Sequence, residues 1–125
     1  MGIEDHILKA KGLLAEIGID YTPVHGKKDV YFIQEVHKKA SCTPSERVKI
    51  GISDHILKRR ETLEQQSLYP LRLVAIIVKG GREIEKKLHN YFSDYHHSKE
   101  WFNPSSELLN LIENLGYPRG QYLWI

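Results

Sequence analysis

The sequence predicts an α/β chain of the α+β type: a small three-stranded, largely antiparallel sheet flanked by helices, with an extra N-terminal helix. Three observations predict it. Short runs rich in β-branched and aromatic residues, Asp29 to Glu35, Arg47 to Ile52 and Leu71 to Val78, read as strands. Apolar residues recur at helical spacing in the segments between and around them. The order helix, strand, strand, helix, strand, helix, helix does not alternate as a parallel doubly wound sheet would.

Taken in order, Ile3, Ile7, Ala10, Leu14 and Ile17 form the stripe of a first helix that Gly18 stops. A connector with Pro23 and Gly26 leads to the first strand. The polar link from His37 to Glu46 is too long for a tight hairpin, so the first two strands pair antiparallel through a long loop. Ser53 or Asp54 caps the next helix, which runs to about Gln65 with Ile56, Leu57 and Leu63 inward. Leu71 to Val78 is nearly all apolar and is expected to be the central strand. Gly80-Gly81 ends it. The helix from Arg82 to Tyr95 turns Ile84, Leu88, Tyr91 and Tyr95 inward. Asn103-Pro104 starts a last helix that stops at Gly116. The tail, with Tyr122, Leu123 and Trp124, is apolar enough to be expected docked.

At 125 residues the chain is one domain of common size. Its 41% apolar and 27% charged residues are ordinary for a globular protein and exclude a largely disordered chain. Net charge is only +2, yet basic doublets stand at Lys27-Lys28, Lys38-Lys39, Arg59-Arg60 and Lys86-Lys87. Each doublet alone is equally well read as solvated surface. The single cysteine, Cys42, excludes an intrachain disulfide and is read as incidental. No run is apolar enough to span a membrane, so a cytoplasmic setting is expected.

Glu85 and His89 stand four apart and share one helix face. A carboxylate beside an apolar stripe suits Mg2+ (or Mn2+), which keeps most of its waters and takes few protein ligands. Arg59, on the helix after the second strand, can stabilise the charge that builds on a phosphate in a transition state. Tyr31 can orient or deprotonate a water, and a nearby cation would lower its pKa from about 10. Each residue taken singly also fits a bland role: a core tyrosine, a surface arginine, a glutamate paired with helix lysines. His89, His96 and His97 make a weak case for zinc, since no cysteine is near.

Together these residues resemble the GIY-YIG nuclease superfamily, in particular its phage-type and meiotically up-regulated branches. The resemblance runs from about Asp29 to Phe102. It rests on Tyr31 in the first strand, Lys49-Ile50-Gly51 in the second, Arg59 ten residues after the lysine, Glu85 with His89, and Glu100-Trp101-Phe102. It divides the chain into an N-terminal helix and connector, 1–26, and a nuclease-like domain, 27–125. It implies metal-dependent hydrolysis of DNA. Glu85 would hold the metal, Tyr31 would help deprotonate water, and Arg59 would contact the scissile phosphate. Lys49 stands where the superfamily's second tyrosine would be, and the late asparagine of some members has no secure match, Asn103 being the one candidate. Glu100-Trp101-Phe102 is read mainly as a core anchor.

Gly51, Lys58, Arg60 and Lys86 are the further residues expected at a nucleic-acid surface, and His89 is expected in the catalytic group. DNA is the expected partner, single- or double-stranded, and a homodimer or a targeting protein is compatible with so small a domain. Two other functions fit the same residues. One is a binding module that kept the fold without the chemistry. The other is a protein-interaction domain that uses the N-terminal helix.

Overall fold

The computed structural model describes residues 2–36 and 46–118. Cys42 and the tail residues Tyr122, Leu123 and Trp124 lie outside the described residues. The elements run α1 (Ile3–Glu16), β1 (Asp29–Glu35), β2 (Val48–Ser53), α2 (Ile56–Gln65), β3 (Leu71–Ile77) and α3 (Gly81–Tyr91). A 3₁₀ turn at Ser93–Tyr95, β4 (His96–Ser98), β5 (Trp101–Phe102) and α4 (Ser106–Leu115) complete them.

The class is α+β, but among the described residues the sheet has five strands rather than three, all pairs antiparallel, in the order β3-β1-β2-β5-β4. The two added strands are three and two residues long, too short to carry an alternation signal. The link from β1 to β2 joins an antiparallel pair, as expected, with Tyr31 opposite Gly51 and Ile33 opposite Lys49.

β3 is at the edge, not at the centre. Its apolar composition is explained by cover on both faces and by side-chain and backbone partners for its outward groups at Leu71 and Ile76. Ile76 gives its N–H to the Gly116 carbonyl (3.0 Å), and its carbonyl is bonded by His6 Nε2 (2.8 Å). At the other end, Leu71 N–H donates to Glu64 Oε2 (2.9 Å) and Arg60 Nη1 donates to the Leu71 carbonyl (3.3 Å). These bonds take up the edge at Leu71 and at Ile76, where another strand would otherwise pair.

Strand alternation splits the interior in two. Val30, Phe32, Val48, Ile50, Ala75 and Ile77 face α1, α3 and α4 in the larger core. Tyr31, Ile33, Leu73 and Ile76 face the other way, against Ile56 and Leu63 of α2. The helices differ from the sequence expectation in detail. α1 buries His6, Ala10 and Leu14, while Ile3 is exposed. α2 starts after His55, with Ser53 Oγ accepting from the His55 N–H (2.9 Å) rather than capping the helix itself. α3 ends at Tyr91, where Phe92 enters the core and Tyr91 and Tyr95 stay exposed. α4 is capped by Ser105, whose hydroxyl accepts from Leu108 N–H (3.1 Å), two residues beyond the expected Asn103. It does stop at Gly116, whose φ of 54° favours glycine. No helix among the described residues is long and apolar enough to cross a membrane.

Candidate active site

The site forms where β2 passes from one neighbour to another. Ile50 N–H donates to the Glu100 carbonyl (3.1 Å), the last bond that the β5 end of the chain makes to β2. The Ile50 carbonyl is instead bonded by His89 Nε2 (2.9 Å). This draws α3, and with it Glu85 one turn earlier, onto the edge of β2 just past β5. The His89 ring packs edge-on against Phe102, with centroids 5.1 Å apart. With Nε2–H given to a carbonyl, Nδ1 is left as the acceptor of the neutral imidazole.

Glu100 reaches the same place through the turn between β4 and β5. Lys99 adopts a left-handed backbone there (φ 52°), and its carbonyl is bonded by His96 Nε2 (2.6 Å). Glu100 Oε1 pairs with Lys49 Nζ at 2.9 Å. Lys49 is only 6% exposed, so the ion pair offsets the cost of burying its charge. One ligand atom each from Glu85, His89 and Glu100 lies within 4.8 Å of the others. Glu85 is 9% exposed, and its Oε2 is buried with no hydrogen-bond partner. Burial raises the Glu85 pKa first and the Glu100 carboxylate raises it further, while His89 and Arg82 oppose them.

Tyr31 enters from the sheet face. Its ring lies over Gly51, directly opposite on β2, and a Cβ at position 51 would collide with the Tyr31 hydroxyl. Gly51 is therefore glycine because the tyrosine occupies the space its side chain would need. Arg59 of α2 stands close enough to the Tyr31 hydroxyl to pull the phenol's pKa down. Its pKa is nonetheless raised. Burial outweighs the pull of Arg59, and the Glu100 and Glu85 carboxylates add to the rise. The cation expected to lower the phenol's pKa is present as Arg59, but desolvation is the larger effect.

The structure thus gathers Tyr31, Lys49, Gly51, Arg59, Glu85 and His89. It adds Glu100, which the sequence placed mainly in a structural anchor. Lys58 and Lys86 are exposed on their helices. Arg60 turns to the edge of β3 instead, as described above. Among the described residues, no group of three metal-capable side chains contains His96 or His97. His96 stacks edge-on against Phe102 (5.5 Å). Asn103 is exposed, with its backbone N–H on the Tyr95 carbonyl (2.8 Å).

Fold and site together define a small α+β domain. It gathers two carboxylates, an imidazole and a tyrosine–arginine pair at one edge of an antiparallel sheet. The T5orf172 domain model matches residues 29–115, from the first residue of β1 to the last of α4, and the chain belongs to that family. The domain is found in phage-type and nuclease-like proteins, including GIY-YIG- and HNH-associated ones. No curated protein and no solved structure matches the chain.

Proposed function

We propose that this protein is a divalent-metal-dependent endonuclease that hydrolyses DNA phosphodiester bonds with GIY-YIG-type chemistry. The observation that carries the reading is the buried, unpartnered Glu85 Oε2 beside His89 and Glu100, in electrostatic reach of Tyr31. Two carboxylates and an imidazole suit a hard divalent cation such as Mg2+ or Mn2+. Glu85 would hold it, with Glu100 and His89 completing or orienting its shell. When bound, the ion supplies positive charge at the phosphate and at the leaving 3′ oxygen.

The chain's own residues supply the rest. Arg59 donates to a non-bridging phosphate oxygen and stabilises the charge that accumulates there. The Tyr31 oxygen, near Arg59, has a lone pair with which to accept a hydrogen from water and align it. The water oxygen bonds phosphorus as the bond from phosphorus to the 3′ oxygen breaks; the phenol passes on its own proton as it takes the water's, and the departing 3′ oxygen takes up a proton from solvent. Lys49 balances the charge of Glu100 and keeps that carboxylate in place. Plasmid cleavage in Mg2+ tests the reading: Glu85→Ala and Arg59→Ala should each lose roughly 10²–10³ in rate. Wild-type turnover by both variants would contradict it.

A further inference from the structure

We propose that the cleft beside Trp101 is a subsite for one unstacked nucleobase, so that the preferred substrate is single-stranded or locally opened DNA. The inference rests on the nuclease reading and deepens it by naming the substrate class. The cleft is open, about 280 Å³, with Trp101, Tyr69, Leu63, Leu68, Arg47 and Glu35 in its wall. That volume is at the small end for ligand sites, about right for a single planar ring and far too small for a duplex.

Three features select a base as the occupant. Aromatic side chains are the usual platform for unstacked bases, and here two of them line one cleft. Among the described residues, Arg47 is the one cation in the wall of the cleft, a charge suited to a phosphate oxygen beside the base. Leu68 stands 95% exposed at the rim, an apolar surface that an incoming ring would cover.

Position links the cleft to the chemistry. Trp101 follows Glu100 in the chain and is the cross-strand neighbour of Lys49, whose Nζ lies 5.8 Å from the indole centroid. A base held against Trp101 therefore belongs to a nucleotide next to the scissile phosphate. A larger cleft, about 570 Å³, lies between β3 and α4. Among the described residues, its wall carries Glu46 and Glu113 against the single cation Arg72, a net negative charge that repels a phosphodiester strand, whereas Glu35 and Arg47 balance in the cleft beside Trp101.

Fluorescence anisotropy of the full chain with labelled dT15, and with a mixed-sequence 15-mer duplex, tests the subsite. It is done without divalent metal, so that binding is read apart from cleavage. Wild type should bind dT15 tighter than the duplex. Trp101→Ala should weaken dT15 binding about ten-fold and duplex binding less than two-fold, with Trp101→Phe restoring most of the loss. Moving a single abasic residue along dT15 should reproduce the ten-fold loss at one position in wild type and add nothing in Trp101→Ala.

If Trp101→Ala fails to fold, Tyr69→Ala and the abasic scan in wild type decide the matter. No position-dependent abasic loss, an unchanged ratio of single- to double-strand affinity in the variants, or no binding of either DNA by wild type would overturn the subsite. Metal-dependent cutting that survives such a result would leave the nuclease reading standing. A confirmed subsite without cutting would reject only the nuclease reading.

Discussion

Neighbouring residues of β1 point to opposite faces of the sheet, and the two faces are built differently. Val30 and Phe32 are covered by three helices in a core of apolar side chains. Tyr31 and Ile33 are covered chiefly by α2, a helix of 10 residues with a single buried side chain, Ile56. The thick side supplies the burial that holds the domain together. The thin side admits a phenol in electrostatic reach of Arg59 and an ammonium paired with Glu100, beside the carboxylates of α3 and the β4–β5 turn. One strand can serve both purposes because its side chains alternate with period two.

Substitutions on the two sides should therefore separate stability from activity. Phe32→Ala on the thick side should cost about 3–5 kcal/mol in urea unfolding, while the fraction still folded keeps its rate per molecule. Glu85→Gln should do the reverse. Cleavage should fall roughly 10²–10³-fold. The metal-free protein should be no less stable than wild type, because a buried carboxyl with a raised pKa costs stability once it ionises.

Gly51→Ala sharpens the contrast, because it sits on the thin side and should affect both properties. It forces the Tyr31 ring off β2, costing about 1–3 kcal/mol of stability and the alignment of the hydroxyl with Arg59. Full activity in a folded Gly51→Ala protein would show that Tyr31 is not needed where it stands.

The smallest effect belongs to α1. Burial, together with the nearby charge of Lys9, lowers the His6 pKa below its ordinary 6.5, against the pull of the Ile76 carbonyl. Neutral His6 thus supports the fold above about pH 6.5, and this support is lost as pH falls through the folded pKa. Urea midpoints measured between pH 7.5 and 5 should drop for wild type, and less steeply for His6→Gln. His6→Ala should cost about 1–3 kcal/mol at neutral pH, since it leaves the Ile76 carbonyl without that bond. An equal pH slope in wild type and His6→Gln would remove His6 from the account.

Much of the site could be read in the sequence where it follows a regular period. Alternation puts Tyr31, Lys49 and Gly51 on one face once β1 and β2 pair, and helical spacing puts Glu85 beside His89. Glu100 is not legible as a site residue because its place depends on a tight turn with Lys99 in a left-handed conformation, which leaves no periodic trace. The edge position of β3 was hidden for a similar reason. Its outward carbonyl at Ile76 is satisfied by His6, 70 residues away, so an edge strand carries the composition of a central one. The raised pKa of Tyr31 depends on burial by α2 and the strands around it, which no local pattern reports.

The central claim is that Glu85, His89 and Glu100 hold a divalent cation next to Tyr31 and Arg59. Mn2+ binding followed by electron paramagnetic resonance tests it without relying on turnover. The account predicts Mn2+ bound by wild type, competed by Mg2+, and lost in a Glu85→Gln protein that keeps its circular dichroism spectrum. No binding by wild type, or equal binding by Glu85→Gln, would contradict it.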